Sequence, residues 1–418
     1  NEATMEARSK FFALWYKFGP PSIFFTVSPG DECSFRVQLY SNPVKQELPL
    51  ASLSQSECIG DYLFRQKDRL ENPGACAREF HSLMEILIEC LIGWDMKTGK
   101  YTGKGIFGEV IAWGDAAEEQ GRKSLHSHMM LYIKDFDRLM TLLWSEDEEI
   151  RFRARKQILD YFEKIMSSSY DFIPQSYPHK TQETPQAIDS TAPNSVFNNE
   201  VISNCNGLLV EYPKQNYRDM RHKKNCRVFK GAVARCVECH KVFTTKDLVW
   251  NAIECWYNAA KVEFPDYFAE DVTFPLSNEQ IHIIALRFCY DMDILHSENS
   301  AMKRIILAIA NIRFNEHDWK HKESCFKKSI ECRYNFPKSP NEMFDLVFAE
   351  ETAECNWCVV YGCGKDLKAR AFTIEPKRSL GDLFMNTHNP AVSTLLGFNN
   401  NVTSGNRDAM YYITMYTT

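Results

Sequence analysis

At 418 residues the chain exceeds the usual size of one domain, so two or three subdomains are expected. Hydrophobic residues make up 44% and aromatics 13%, enough for packed cores. No apolar run approaches the ~20 residues that span a bilayer, so no membrane partner is expected. The net charge of −6 excludes a uniformly basic nucleic-acid binder and leaves any such role to local patches.

Apolar positions at helical spacing predict a helix over residues 5–18, leading into a short buried strand over 23–28. Across 75–92, Phe80, Leu83, Leu87 and Leu91 mark an amphipathic helix that must pack on a sheet. Residues 106–133 read as a hairpin with its tip near 121–124. Its second strand opens with His126 and His128 and runs on through an apolar stretch to Ile133. Side chains alternate along a strand, so His126 and His128 point the same way and can grip one ion. Glu118 and Gln120 share a face of the preceding strand, and either could supply an oxygen ligand. Two imidazoles plus one oxygen, with positions left open, describe a catalytic rather than a structural metal site.

Two helices are expected next, over 135–144 and 148–167, with Glu146-Asp147-Glu148-Glu149 as a solvated acidic face. Residues 170–200, rich in Ser, Thr, Pro, Asn and Gln, read as a linker. Residues 213–246 hold ten Lys or Arg against two Asp or Glu, interleaved with Tyr217 and Phe229. Residues 318–338 are also basic. Such patches suit single-stranded DNA, where cations track phosphates and rings stack on bases; they suit equally an ordinary basic loop around a metal. Helices are expected over 246–262, 279–295 and 301–315, and strands over 343–348, 359–361 and 371–374. Near the end, Tyr412 and Tyr416 stand four apart, neighbours on one face if helical. Buried in a core, they would be a plain aromatic stripe.

Fifteen cysteines without a secretory signal favour metal over disulfides. His222, Cys226, Cys236, Cys239 and His240 contain a Cys-x2-Cys hook and enough partners for one tetrahedral zinc. Cys355-x2-Cys358-x4-Cys363 gives a second hook, which His321, Cys325 and Cys332 are near enough in sequence to join. Cys33, Cys58, Cys76, Cys90, Cys255 and Cys289 are isolated and expected to be buried thiols. The opening Asn1-Glu2-Ala3-Thr4, and an ending inside an apparent helix at Thr418, suggest a piece of a longer polypeptide.

Five motifs in one order carry a family resemblance. They are Gly19-Pro20-Pro21-Ser22-Ile23-Phe24-Phe25-Thr26; Asn72-Pro73 with Ala77-Arg78-Glu79-Phe80-His81 and Gly93-Trp94-Asp95; Glu118-x-Gln120-x-Arg122 with His126-x-His128; His321-x3-Cys325 with Cys332-Arg333-Tyr334-Asn335-Phe336-Pro337; and residues 399–402 followed by Tyr412-x3-Tyr416. Together they resemble the HUH single-strand DNA endonucleases, and within them the Rep domain of Helitron rolling-circle transposases, the Helitron helicase-like domain. Three positions depart from the pattern. Leu125 replaces a proline before the first histidine, Ser127 sits where a hydrophobic residue is usual, and Met415 replaces a lysine beside the second tyrosine.

The resemblance implies an α+β fold: an HUH-type antiparallel sheet with flanking helices, the tyrosine helix lying against the metal strands. Such a core is small, so the middle of the chain is expected to be an inserted, zinc-stapled lobe. The expected division is 1–170 and 341–418 for the nuclease and 171–340 for the lobe. It further implies Mg²⁺ or Mn²⁺ at His126, His128 and Glu118 or Gln120, with Tyr412 and Tyr416 as nucleophiles on single-stranded transposon ends. A Pif1-type helicase beyond Thr418 and, in a eukaryotic host, nuclear localisation are implied as well. Two rival readings remain: a zinc-stabilised DNA-binding module without nuclease activity, and a metal-dependent hydrolase with structural tyrosines.

Overall fold

Ile23-Phe24-Phe25-Thr26-Val27-Ser28 is rich in β-branched and aromatic residues, and in the structure every second side chain, from Ile23 to Pro29, is buried. This strand lies near the middle of the fold. The structure is a computed structural model that describes residues 2–31, 35–41, 62–119, 124–168, 208–211, 233–236, 242–244, 257–258, 261–262, 315–317, 334, 336, 338, 341, 343–348, 372–378, 385–405, 409 and 412–414. It divides into two compact units, one of residues 1–167, 344–376 and 387–418, the other of 168–343 and 377–386.

The first unit begins with helix α1 (Glu2–Phe18), strand β1 (Ile23–Pro29) and helices α2 (Phe35–Ser41), α3 (Tyr62–Glu71) and α4 (Pro73–Ile86). Proline at the first position of α4 costs no hydrogen bond, because that amide has no intrahelical partner. α4 continues as a π-helical turn, Leu87–Ile92, which Gly93 ends in the left-handed conformation. Leu83, Leu87 and Leu91 are buried as their spacing requires, and Phe80 packs against them partly exposed. Trp94–Asp95, part of the second family motif, is strand β2 of a small hairpin with β3 (Lys100–Tyr101). β4 (Val110–Glu119), β5 (Leu125–Ile133), α5 (Phe136–Leu142) and α6 (Glu148–Ile165) follow. Asp147 caps α6 by accepting from the amides of Glu149 and Ile150.

β1 pairs with β5, which pairs with β4 as the expected hairpin. On its other side β1 pairs with a strand from near the end of the chain. In numbering order the remaining strands are β6 (Leu208–Glu211), β7 (Val233–Cys236), β8 (Val242–Thr244), β9 (Asp345–Phe348), β10 (Phe372–Glu375) and β11 (Phe398–Ser404). The main sheet has the order β11-β1-β5-β4 and is antiparallel throughout. Helix α7 (Pro390–Leu396) precedes β11, with Asn389 as its cap, Pro390 opening it and Gly397 closing it. The molecule is thus α+β. β11, α7 and the β2–β3 hairpin carried no clear periodic signal in the sequence.

The sheet has two differently used faces. Ile23, Phe25, Val27, Met129, Leu131, Phe398 and Val402 join α4, its π-helical turn and α6 in the larger core. β9 and β10 pair with each other, and Arg155 of α6 reaches both the Asp345 carboxylate and the Leu346 carbonyl, the latter at 2.9 Å. On the opposite face Phe11, Leu14, Trp15 and Phe18 of α1 pack on Ala112, Ala116, Met130, Tyr132 and Phe24, with Ile413. A Cβ at Gly114 would stand 3.0 Å from Leu14 Cδ1 and from Phe11 Cε1, so glycine there lets helix and strand approach.

In the second unit β6, β7 and β8 form a three-stranded antiparallel sheet, and His317 stacks on Phe336 at 4.6 Å. The linker over 170–200, the helices over 279–295 and 301–314 and the strand over 359–361 lie outside the described residues, as does most of 246–262. Among the isolated cysteines, Cys76 is buried as expected and Cys90 is exposed. Cys90 and Glu89 lie on the outer side of the π-helical turn, whose Leu87, Ile88, Leu91 and Ile92 face the core. Among the described residues no helix is long and apolar enough to cross a membrane.

Candidate metal centre

Alternation along β5 places His126 and His128 on the α1 side of the sheet, 2% and 5% exposed. Strand pairing sets Glu118 of β4 directly opposite His126. This depends on a bulge. Between Val110 and Ala112 the register of β4 shifts, so Val110 faces the larger core while Ala112, Ala116 and Glu118 face α1. One extra residue reverses the facing of every side chain beyond it. Without it Glu118 and Val110 would share one side of the sheet.

Three ligand atoms converge as a result. Glu118 Oε1 contacts His126 Nε2 and lies 3.4 Å from His128 Nε2, and the two imidazole nitrogens are 3.1 Å apart. All lie within 4.8 Å of one another, so the three residues could hold a metal ion. Burial lowers both imidazole pKa values, that of His128 to about 4 with help from His126. Both rings are therefore neutral near pH 7, the form that ligates. A set of two nitrogens and one carboxylate, open on the solvent side of Glu118, fits a divalent cation.

β1 supports this centre from the other side. Thr26 is paired with His128, and its hydroxyl lies 2.9 Å from Nδ1. An imidazole that ligates through Nε2 carries its proton on Nδ1 and donates it, here to the Thr26 oxygen, which fixes tautomer and ring plane. Phe24 stacks parallel to the His128 ring with centroids 5.7 Å apart. Nδ1 of His126 is buried and has no hydrogen-bond partner among the described residues, so His128 is the more firmly held ligand.

Tyr412 comes to the same place from the end of the chain. Its ring stands edge-on to His128 at 4.8 Å and to Phe24 at 5.9 Å, and it is 40% exposed. Ile413 beside it is fully buried in the α1 core, and Arg8 of α1 donates to the Thr414 carbonyl at 3.0 Å. The tyrosine is thus held at the rim of the centre by its neighbours while its own ring stays accessible. Gln120, Tyr411 and Tyr416 lie outside the described residues. So do His222, Cys226, Cys239, His240, His321, Cys325, Cys332, Cys355 and Cys358; Cys236 is described only as the end of β7, paired with Leu208. The sequence marked Thr26 and Phe24 as strand residues alone. Their place around His128 follows from pairing between residues about a hundred positions apart, which no local pattern reports.

Residues 1–131 match the Helitron helicase-like domain at N-terminus. The match covers α1, β1, β4 and the β5 histidines, so it includes Thr26, Glu118, His126 and His128, and it leaves β11 and Tyr412 outside. The resemblance read from the motifs is thus matched over residues 1–131, which carry Glu118, His126 and His128. No curated protein and no solved structure matches the chain.

Proposed function

We propose that this Helitron-like protein is an HUH-type single-strand DNA endonuclease that nicks and transfers strands through tyrosine. The carrying observation is the accessible Tyr412 ring 4.8 Å from His128, beside three convergent ligand atoms. Glu118, His126 and His128 would hold a divalent ion, Mg²⁺ or Mn²⁺, which would supply Lewis-acid polarisation of the scissile phosphate. Gln120 is the alternative oxygen donor. The Tyr412 phenol gives its proton to solvent and its oxygen bonds to phosphorus, while the bond to the 3′ oxygen breaks and that oxygen takes a proton from solvent. The products are a 5′-phosphotyrosine and a free 3′-hydroxyl, and the phosphodiester energy stays in the covalent link. Phe24 and Ile413 hold the attacking ring in place, and Thr26 holds His128. Tyr416, one helical turn on if the helix continues, provides the second nucleophile that two successive strand transfers require.

The same reading assigns residues 171–340 to an inserted lobe between the nuclease parts 1–170 and 341–418. Zinc there would be held by Cys226, Cys236, Cys239, His222 and His240, or by Cys355 and Cys358 with His321, Cys325 and Cys332. It also brings transposon ends as substrate, a Pif1-type helicase as partner and, in a eukaryotic host, the nucleus as compartment.

The test is the covalent adduct. A single-stranded oligonucleotide incubated with Mn²⁺ should become attached through its 5′ phosphate, and mass spectrometry should locate the link at Tyr412 or Tyr416. Changing both to Phe removes only the phenol oxygens and should abolish the adduct. Cleavage without any protein–DNA bond would favour a hydrolase using metal-activated water, and binding without cleavage a DNA-binding module. Zinc is tested apart from this, by elemental analysis of protein purified without added metal.

A further inference from the structure

The sheet face that bears the metal centre continues past β5. Thr26, opposite His128, is paired on its other side with Asn401, and Ser28 is paired with Asn399. Alternation puts Thr26, Ser28, Asn399 and Asn401 on the face of His126 and His128. Asn399 is exposed and Ser28 and Asn401 are half-buried. Asn400 between them points the other way, fully buried, its amide bonded to Ser393 Oγ at 2.8 Å and its oxygen to the Asn389 amide at 2.7 Å. Asn400 therefore locks the strand from below and fixes the direction in which Asn399 and Asn401 project.

This face is divided lengthwise. Where Gly114, Met130 and Phe24 lie side by side it is apolar and α1 covers much of it. At the other end it is polar across all four strands, from Glu118 through the histidines to Thr26, Ser28, Asn399 and Asn401. Two strand spacings separate Asn401 from His128, about 10 Å. A chain whose phosphate lies at the triad and that crosses the open end therefore lays its next nucleotide over β1 and β11.

We propose that Asn399 and Asn401, with Ser28 beside them, form a subsite that reads a base next to the scissile phosphate; this rests on the nicking reading above. Among the described residues the patch holds no cation, whereas phosphate calls for Lys or Arg. Each amide presents a donor and an acceptor side by side, the pattern that pairs with a base edge. The edges of unpaired bases are free in a single strand. The triad fixes where the strand is cut and the asparagines choose which sequence is cut.

The experiment uses the full chain and a panel of single-stranded oligonucleotides varied, or made abasic, at the positions flanking the nick. Adduct formation is read as kcat/KM, binding by fluorescence anisotropy and Mn²⁺ affinity by calorimetry. In Asn399→Ala/Asn401→Ala, discrimination among the panel should fall about tenfold, with Mn²⁺ affinity unchanged and turnover at saturating DNA retained. An Asn399→Thr/Asn401→Thr pair keeps strand propensity; it should melt with the wild type and still lose discrimination. Unchanged discrimination, or an equal loss on every oligonucleotide including the abasic one, overturns the subsite. If the wild type forms no adduct but its binding discriminates and the variants' does not, the chemistry fails and the subsite stands.

Discussion

The two ends of one sheet face, built from the same strands, do different work. At the α1 end Met130 and Tyr132 are buried, and Gly114 and Phe24 half-buried, against a helix; at the other end the same strands present Glu118, His126, His128, Thr26 and Asn401, with Tyr412 beside His128. The apolar end holds α1 and Ile413, and through Ile413 the turn that carries Tyr412. The polar end holds candidate ligands whose neutrality depends on burial. Stability and chemistry are thus adjacent but separable, and variants at each end should have different signatures.

The largest effect is expected at the polar end. His126→Ala or His128→Ala should abolish nicking, because two remaining donors hold a hard divalent ion poorly, yet leave the melting temperature near that of the wild type. Near wild-type cleavage by both variants in Mg²⁺ or Mn²⁺ would sink the assignment of the centre. At the apolar end, Ile413→Ala empties a fully buried site and should cost about 2–5 kcal/mol in denaturant unfolding. It should also lower turnover, since it frees the Tyr412 turn, while Mn²⁺ affinity holds. A parallel loss of Mn²⁺ affinity would show that the two ends are not separable.

Thr26→Val keeps the shape of the side chain and removes the oxygen that faces His128 Nδ1. Mn²⁺ affinity should drop about 10–100-fold, the usual effect of losing a partner behind a ligand, and Thr26→Ser should restore it. Equal affinity in all three proteins would reduce Thr26 to a packing residue. The smallest effect is expected for Gly114→Val, which forces side-chain atoms against Leu14 and Phe11 of α1. Overpacking of this kind costs about 1–3 kcal/mol, read as a lower melting temperature. Mn²⁺ binding should not change.

What the sequence by itself determined was local. The buried strand at 23–28, the apolar run after His128, the stripe of the helix at 75–92 and the His126-x-His128 pair are legible because they rest on composition and period within one element. β11 was not legible as a strand, since Asn399-Asn400-Asn401 shows no apolar alternation, and Asn400 is inward only because Ser393 and Asn389 receive it. The facing of Glu118 was legible only in outcome: counted in twos it shares the side of Val110, and the bulge at Ile111 reverses it. Tertiary structure alone decided that β1 lies between β5 and β11 and that Thr26 backs His128; the place of Tyr412 at the rim of the centre was implied by the family resemblance but by no local pattern. The physical reason is range. Period and propensity act over a few residues, whereas the register between strands about a hundred to nearly four hundred positions apart is chosen by which pairing buries both cores at once.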